Sequence, residues 1–224
     1  MAEQLTFELP VRASLRRGDF FVSEANALAL ARLDTHETWP NGKLVLVGPE
    51  GAGKTHLAHV WAGDAAANMI TAQDLGALDV GAVTSPMVVD DADQTAPDDE
   101  TALFHLHNHL AAMGLPLLLT GRTAPSRWST ALPDLRSRME AAEVARIDPP
   151  DDALLTAVLM KLFNDRQLIV SPATIAWLTT HMDRSFSAAL RVVADLDARA
   201  LAEGRKVTRD LAQEILDKGP GDGP

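Results

Sequence analysis

The stretch KLVLVGPEGAGKTHLAHVW, residues 43–61, constrains this 224-residue chain more than any other. KLVLV (43–47) is a continuous apolar run, which predicts a strand buried on both faces in a parallel sheet. It leads directly into GPEGAGKT (48–55), and helical spacing begins at once after it. Gly48, Gly51 and Gly53 allow the backbone to fold tightly around phosphate oxygens, with amide N–H groups turned inward and the positive end of the next helix behind them. The predicted phosphate-binding residues are Gly48, Pro49, Glu50, Gly51, Ala52, Gly53, Lys54, Thr55 and His56. Lys54 reaches for the β- and γ-phosphates, and the Thr55 hydroxyl ligates Mg²⁺.

The rest of the chain supplies the sheet that such a loop needs. MIT (69–71), MVVD (87–90), LLLTG (117–121) and EVARI (143–147) are further strand candidates, and helical patterns such as ETALFHLHNHLAAMG (100–114) separate most of them. Alternating strands and helices predict an α/β domain with a parallel, five-stranded sheet. The pattern changes at Asp148-Pro149-Pro150. Beyond it, 151–164, 172–182, 186–203 and 208–217 all have helical periodicity, which predicts a small all-α lid domain. The expected organisation is a tail over 1–15, an α/β domain over 16–148, the lid over 149–218 and a Gly/Pro-rich tail over 219–224.

Further residues fit nucleotide chemistry. In MVVDDAD, Asp90 ends an apolar run, as expected of an acid that holds Mg²⁺ mainly through water; Asp91 is placed to orient or deprotonate a water. Thr120 ends LLLTG, where a hydroxyl can hold the attacking water or the γ-phosphate. Arg136 and Arg138 precede the last strand, and an arginine there can neutralise charge on a nucleotide held by another subunit. His105 and His109 have zinc-compatible spacing but lack a third ligand, so an ordinary helix surface is expected. The four tryptophans are expected as core or interface anchors.

Composition narrows the partners. A net charge of −11 argues against direct, specific DNA binding, which relies on Lys and Arg to displace counterions. The absence of cysteine excludes disulfides and thiolate metal sites. No apolar run approaches membrane-spanning length, and the N-terminus lacks a signal-peptide core, so a cytoplasmic protein is expected.

Taken in order, these motifs resemble the AAA+ ATPases, and most closely the DnaA/Hda family. WPNGKLVLVGPEGAGKTHLAHVW is similar to that family's strand, Walker A loop and helix; VVDD resembles Walker B, LLLTG sensor 1, and SRM the arginine-finger motif, which places the finger on Arg138. DFFVSEANALA is similar to the family's adenine-contacting segment, which implies roles for Phe20, Phe21 and Val22. A gap-free alignment of MDRSFSAALRVVADLD puts Ser187 at the sensor 2 position, usually Arg, with Arg184 and Arg191 close by. The chain ends after the lid, where DnaA carries a DNA-binding domain. At its start, QLTFEL is similar to peptides that dock on the bacterial sliding clamp, with Gln4, Leu5, Phe7 and Leu9 as the docking groups.

The resemblance to the short, Hda-type members implies a regulator that binds ADP or ATP with Mg²⁺, with weak or no ATPase of its own. It implies docking on the sliding clamp, and thereby on the nucleoid and replisome of a bacterial cell. There it stimulates ATP hydrolysis by DnaA through Arg138 supplied in trans, so that replication does not start twice. The alternative is a self-hydrolysing AAA+ motor or clamp-loader-like subunit. Assembly into a homo-oligomer stays open.

Overall fold

A computed structural model describes Val22 and residues 25–218. The predicted clamp-docking residues Gln4, Leu5, Phe7 and Leu9, and Phe20 and Phe21, lie outside the described residues. Five strands form one parallel sheet: β1 (Lys43–Val47), β2 (Asn68–Thr71), β3 (Met87–Asp90), β4 (Leu117–Gly121) and β5 (Glu143–Arg146), in the spatial order β2-β3-β4-β1-β5. β1 lies inside the sheet between β4 and β5, and every residue in it is buried, as its apolar run predicted. Each predicted strand is present within a residue of its expected bounds.

Side chains alternate between two cores because successive residues of a strand face opposite ways. Val45, Val47, Val89, Leu117 and Leu119 face one core, shared with α3 (Glu100–Met113) and α4 (Pro133–Glu140). Leu44, Leu46, Val88 and Leu118 face the other, shared with α1 (Ala27–Asp34) and α2 (Lys54–Asp64). There Trp39 stacks on Trp61 at 5.1 Å, with His36 edge-on to both, so these aromatics are packing groups. Two 3-10 turns, Ala92–Gln94 and Pro97–Asp99, connect β3 to α3.

Beyond β5 the described chain is helical: α5 (Asp152–Asp165), α6 (Pro172–His181), α7 (Phe186–Glu203) and α8 (Arg209–Lys218). They close around their own core of Leu155, Leu159, Phe163, Leu178, Val193, Leu196 and Leu211. Side-chain caps start all four: Asp151 accepts from Leu154 N–H, Ser171 from Thr174 N–H, Ser185 from Ala188 N–H and Thr208 from Leu211 N–H. This is the P-loop α/β fold with a helical lid that the motif order predicted.

α4 is the element that the periodicity did not disclose. Within PDLRSRME only Leu135 and Met139 are buried, too few for a visible apolar stripe. Among the described residues, no helix is long and apolar enough to cross a membrane.

Candidate functional site

The loop after β1 is built as its glycines require. Gly51 has φ +72°, and a Cβ there would sit 2.3 Å from Ser187 Oγ. Only glycine accepts both that backbone and that approach. Gly53, at φ +91°, turns the chain into α2, whose first residues are Lys54 and Thr55. Lys54 is 6% exposed, and its ammonium donates to the carbonyls of Gly48 (2.9 Å) and Pro49 (3.1 Å). Burial lowers its pKa, opposed by the neighbouring charges of Asp91, Asp93 and Asp90. The ammonium thus lies inside the ring of loop residues, where phosphate oxygens would compete for it.

Asp90 organises the acidic side. Its Oδ2 accepts from the Thr55 hydroxyl at 2.8 Å and its Oδ1 from the Thr120 hydroxyl at 2.5 Å. Because Thr55 gives its proton to Asp90, the remaining lone pairs of Thr55 Oγ1 are free on an exposed residue. A hydroxyl so polarised beside a carboxylate suits an oxygen-seeking cation such as Mg²⁺.

Thr120 lies between the two acids. It is fully buried, donates to Asp90 and accepts from Asp91 N–H at 2.9 Å. With its proton given to Asp90 and a lone pair taken by Asp91 N–H, Thr120 ties the two acids together at the strand end. Asp91 itself adopts φ 52°, ψ 40°. Its pKa is raised, first by burial and then by the Asp90 charge, with Lys54 opposing.

The lid closes on this loop through the start of α7. Phe186 N–H, an amide with no partner inside its own helix, donates to Gly51 O at 2.8 Å. Ser187 lies against Gly51, so the predicted sensor 2 position does reach the loop. Arg184 pairs with Asp152 at 2.7 Å on an exposed face, and Arg191 is exposed on α7. Glu50 reaches Arg122 at 3.2 Å across the loop rim; Pro49 is exposed, Ala52 buried, and His56 half-buried at the start of α2. Val22 is 67% exposed.

The two candidate arginines have different surroundings. Arg136 Nη2 donates to Thr130 O and is tied into its own helix entrance. Arg138 is exposed, and its carbonyl accepts from Lys43 Nζ. Lys43 begins β1 whereas the phosphate loop follows the end of β1, five residues or about 16 Å away. The Arg138 backbone therefore sits at the opposite end of β1 from the loop of its own chain.

Sequence reasoning overlooked three buried groups: Lys43 at 1% exposure, Glu100 at 4% and His107 at 4%. A lysine at the head of a fully buried strand was the readable signal. Among the described residues no cluster of metal-ligating side chains stands out, and His109 Nε2 is hydrogen-bonded to Val83 O.

No family model matches the chain. An uncharacterised protein of Haemophilus influenzae is 28% identical over 182 residues, spanning 75% of this chain and 79% of that protein. Among solved structures, domain III of the Thermotoga maritima replication initiation protein DnaA superposes with a TM-score of 0.79 at 18% identity, covering 94% of this chain and 98% of that one. AMPPCP-bound DnaA from Aquifex aeolicus gives 0.69 at 17% identity, covering 90% and 68%. The Thermotoga maritima RuvB Holliday junction branch migration motor gives 0.69 at 16%, covering 91% and 71%. The chain thus shares the fold of DnaA domain III.

Proposed function

We propose that this chain is a nucleotide-holding regulator of replication initiation, of the Hda type, whose Arg138 completes the ATP site of DnaA. The observation that carries this reading is the separation of its two chemistries. An arginine side chain cannot span the length of β1, so Arg138 is unsuited to its own nucleotide and exposed to a neighbour's.

ADP or ATP is the proposed ligand of the loop, with Gly48–Thr55 around the phosphates and Lys54 exchanging carbonyl partners for phosphate oxygens. Thr55 and Asp90 are the residues that would hold Mg²⁺, which when bound neutralises phosphate charge. Ser187 brings a neutral hydroxyl to the loop where an arginine would bring charge, and Arg184 is engaged by Asp152. Such a site favours holding nucleotide over cycling it. The nucleotide then sets the lid through the Gly51–Phe186 bond.

The partners proposed are DnaA and the sliding clamp, the latter through Gln4, Leu5, Phe7 and Leu9. Clamp docking would place the protein at the replisome in the bacterial cytoplasm. The deciding experiment measures hydrolysis of DnaA-bound ATP with DNA-loaded clamp. Acceleration by the wild type, lost in Arg138→Ala, supports the reading. Brisk turnover by the isolated chain, abolished by the same substitution, would replace it with the motor alternative. Clamp pull-down separates the tail: retention by a Gln4→Ala, Phe7→Ala double variant as strong as wild type would end the docking proposal.

A further inference from the structure

α4 is a short helix with little of its own to fix it. It buries only Leu135 and Met139, and its N-cap position, Leu132, offers no side-chain cap. Both ends are instead held by buried charges from distant parts of the chain. At the N-terminus, Glu100 Oε1 accepts from Ala131 N–H at 2.8 Å and Oε2 from Leu132 N–H at 2.6 Å. At the C-terminal end, Lys43 Nζ donates to Arg138 O, with His107 Nε2 3.5 Å away.

The signs match the helix: a carboxylate sits where the dipole is positive and an ammonium where it is negative. Both charges answer ends of α4; in these contacts neither meets an oppositely charged side chain. Lys43 titrates at about 8, lowered first by burial and then by the Arg138 charge, so it is an ammonium at neutral pH. His107 is held down to about 4 by burial, then by Lys43 and Arg138, so its neutral ring can accept from that ammonium. A serine at position 132 would cap α4 without burying any charge. Two buried charges at fixed points of the core set where the helix lies, as well as whether it forms.

We infer that Glu100 and Lys43 are positioning residues: a pair of end clamps that fix α4 so that Arg138 projects toward a partner's nucleotide. This rests on the trans-acting role of Arg138 given above. α3 ties the clamps together, because Glu100 begins it and His107 lies two turns further along.

The test uses the full chain with DnaA–ATP and DNA-loaded clamp, and compares Glu100→Gln, Glu100→Asp, Lys43→Met and Arg138→Ala. Glu100→Gln and Lys43→Met are expected to lower the saturating stimulated rate by about tenfold or more, since each removes a charge-assisted bond to the helix end. The concentration for half-maximal stimulation and the affinity for ADP stay near wild type, and Glu100→Asp recovers most of the rate. Amide hydrogen exchange accelerates at Ala131 and Leu132 in Glu100→Gln, and at Ala141 and Ala142 in Lys43→Met.

Wild-type stimulation by both clamp variants, with Arg138→Ala inactive, overturns the clamps and leaves the proposed function standing. If Arg138→Ala itself stimulates normally, the proposed function falls, and the clamps stand or fall on the exchange rates. Glu100→Gln preserves side-chain volume, so that arm decides should Lys43→Met not fold.

Discussion

The two ends of β1, a strand of five residues, are built on different principles. At the C-terminal end, Lys54, Thr55 and Asp90 bond to groups that a ligand can displace or share: loop carbonyls, a hydroxyl, an exposed rim. At the N-terminal end, Lys43 and His107 are sealed in the core and their partners are fixed. The first end suits exchange of partners, the second the holding of a shape. The proposed function would use this difference, with an adjustable end for its own nucleotide and a fixed backbone under Arg138.

The comparison breaks most visibly at Arg138. Arg138→Ala is expected to cut stimulated hydrolysis about a thousandfold, the lower end of what a trans-acting arginine contributes. Nucleotide affinity of the isolated chain, followed by titration calorimetry, should not change. Lys54→Ala acts at the other end: loss of its charge-assisted bonds should weaken ADP binding by about a hundredfold in the same titration. A variant that altered both readouts equally would show that the two ends are not separate.

The acidic strand end is tested by stability. Thr120→Val keeps shape but leaves Asp91 N–H without its partner and Asp90 Oδ1 without a donor. Urea denaturation should show a loss of about 1–3 kcal/mol.

The smallest effect sharpens the sealed end. His107 titrates at about 4 in the folded protein, against an ordinary value near 6.5. Between those values the unfolded chain binds the proton and the folded chain does not. Its contribution to stability is therefore complete above pH 6.5 and is lost as pH falls toward 4, by about 1–2 kcal/mol between pH 7 and pH 5. His107→Asn should flatten that part of the stability–pH curve in denaturant titrations, whereas substitution of exposed His59 should not.

The sheet and the loop were readable because both depend on local pattern. KLVLV and LLLTG are apolar because both faces of their strands are covered, and Gly51 and Gly53 of GPEGAGKT mark a left-handed backbone that other residues rarely adopt. The lid helices carried their own periodicity and caps. Strand order was not readable, because parallel pairing of β4 with β1 joins residues more than seventy positions apart. The protein partners of Thr120 were hidden for a similar reason: they are the carboxylate and a backbone amide at the end of another strand, which residue types do not announce. The clamps on α4 lay deeper still. Lys43 at the head of a buried strand can be noticed, but what it and Glu100 bond to cannot, because α4 between them is itself nearly patternless.

The hydrogen bond from the Phe186 amide to Gly51 O has a thermodynamic corollary. It makes the lid and the phosphate loop one equilibrium. If nucleotide entering the loop changes the lid's preferred angle, any partner that grips the lid at that angle must change nucleotide affinity by the same factor in return. Dissociation of ADP from this chain, timed with and without its partner, would then read the docking step directly, with no hydrolysis needed to see it.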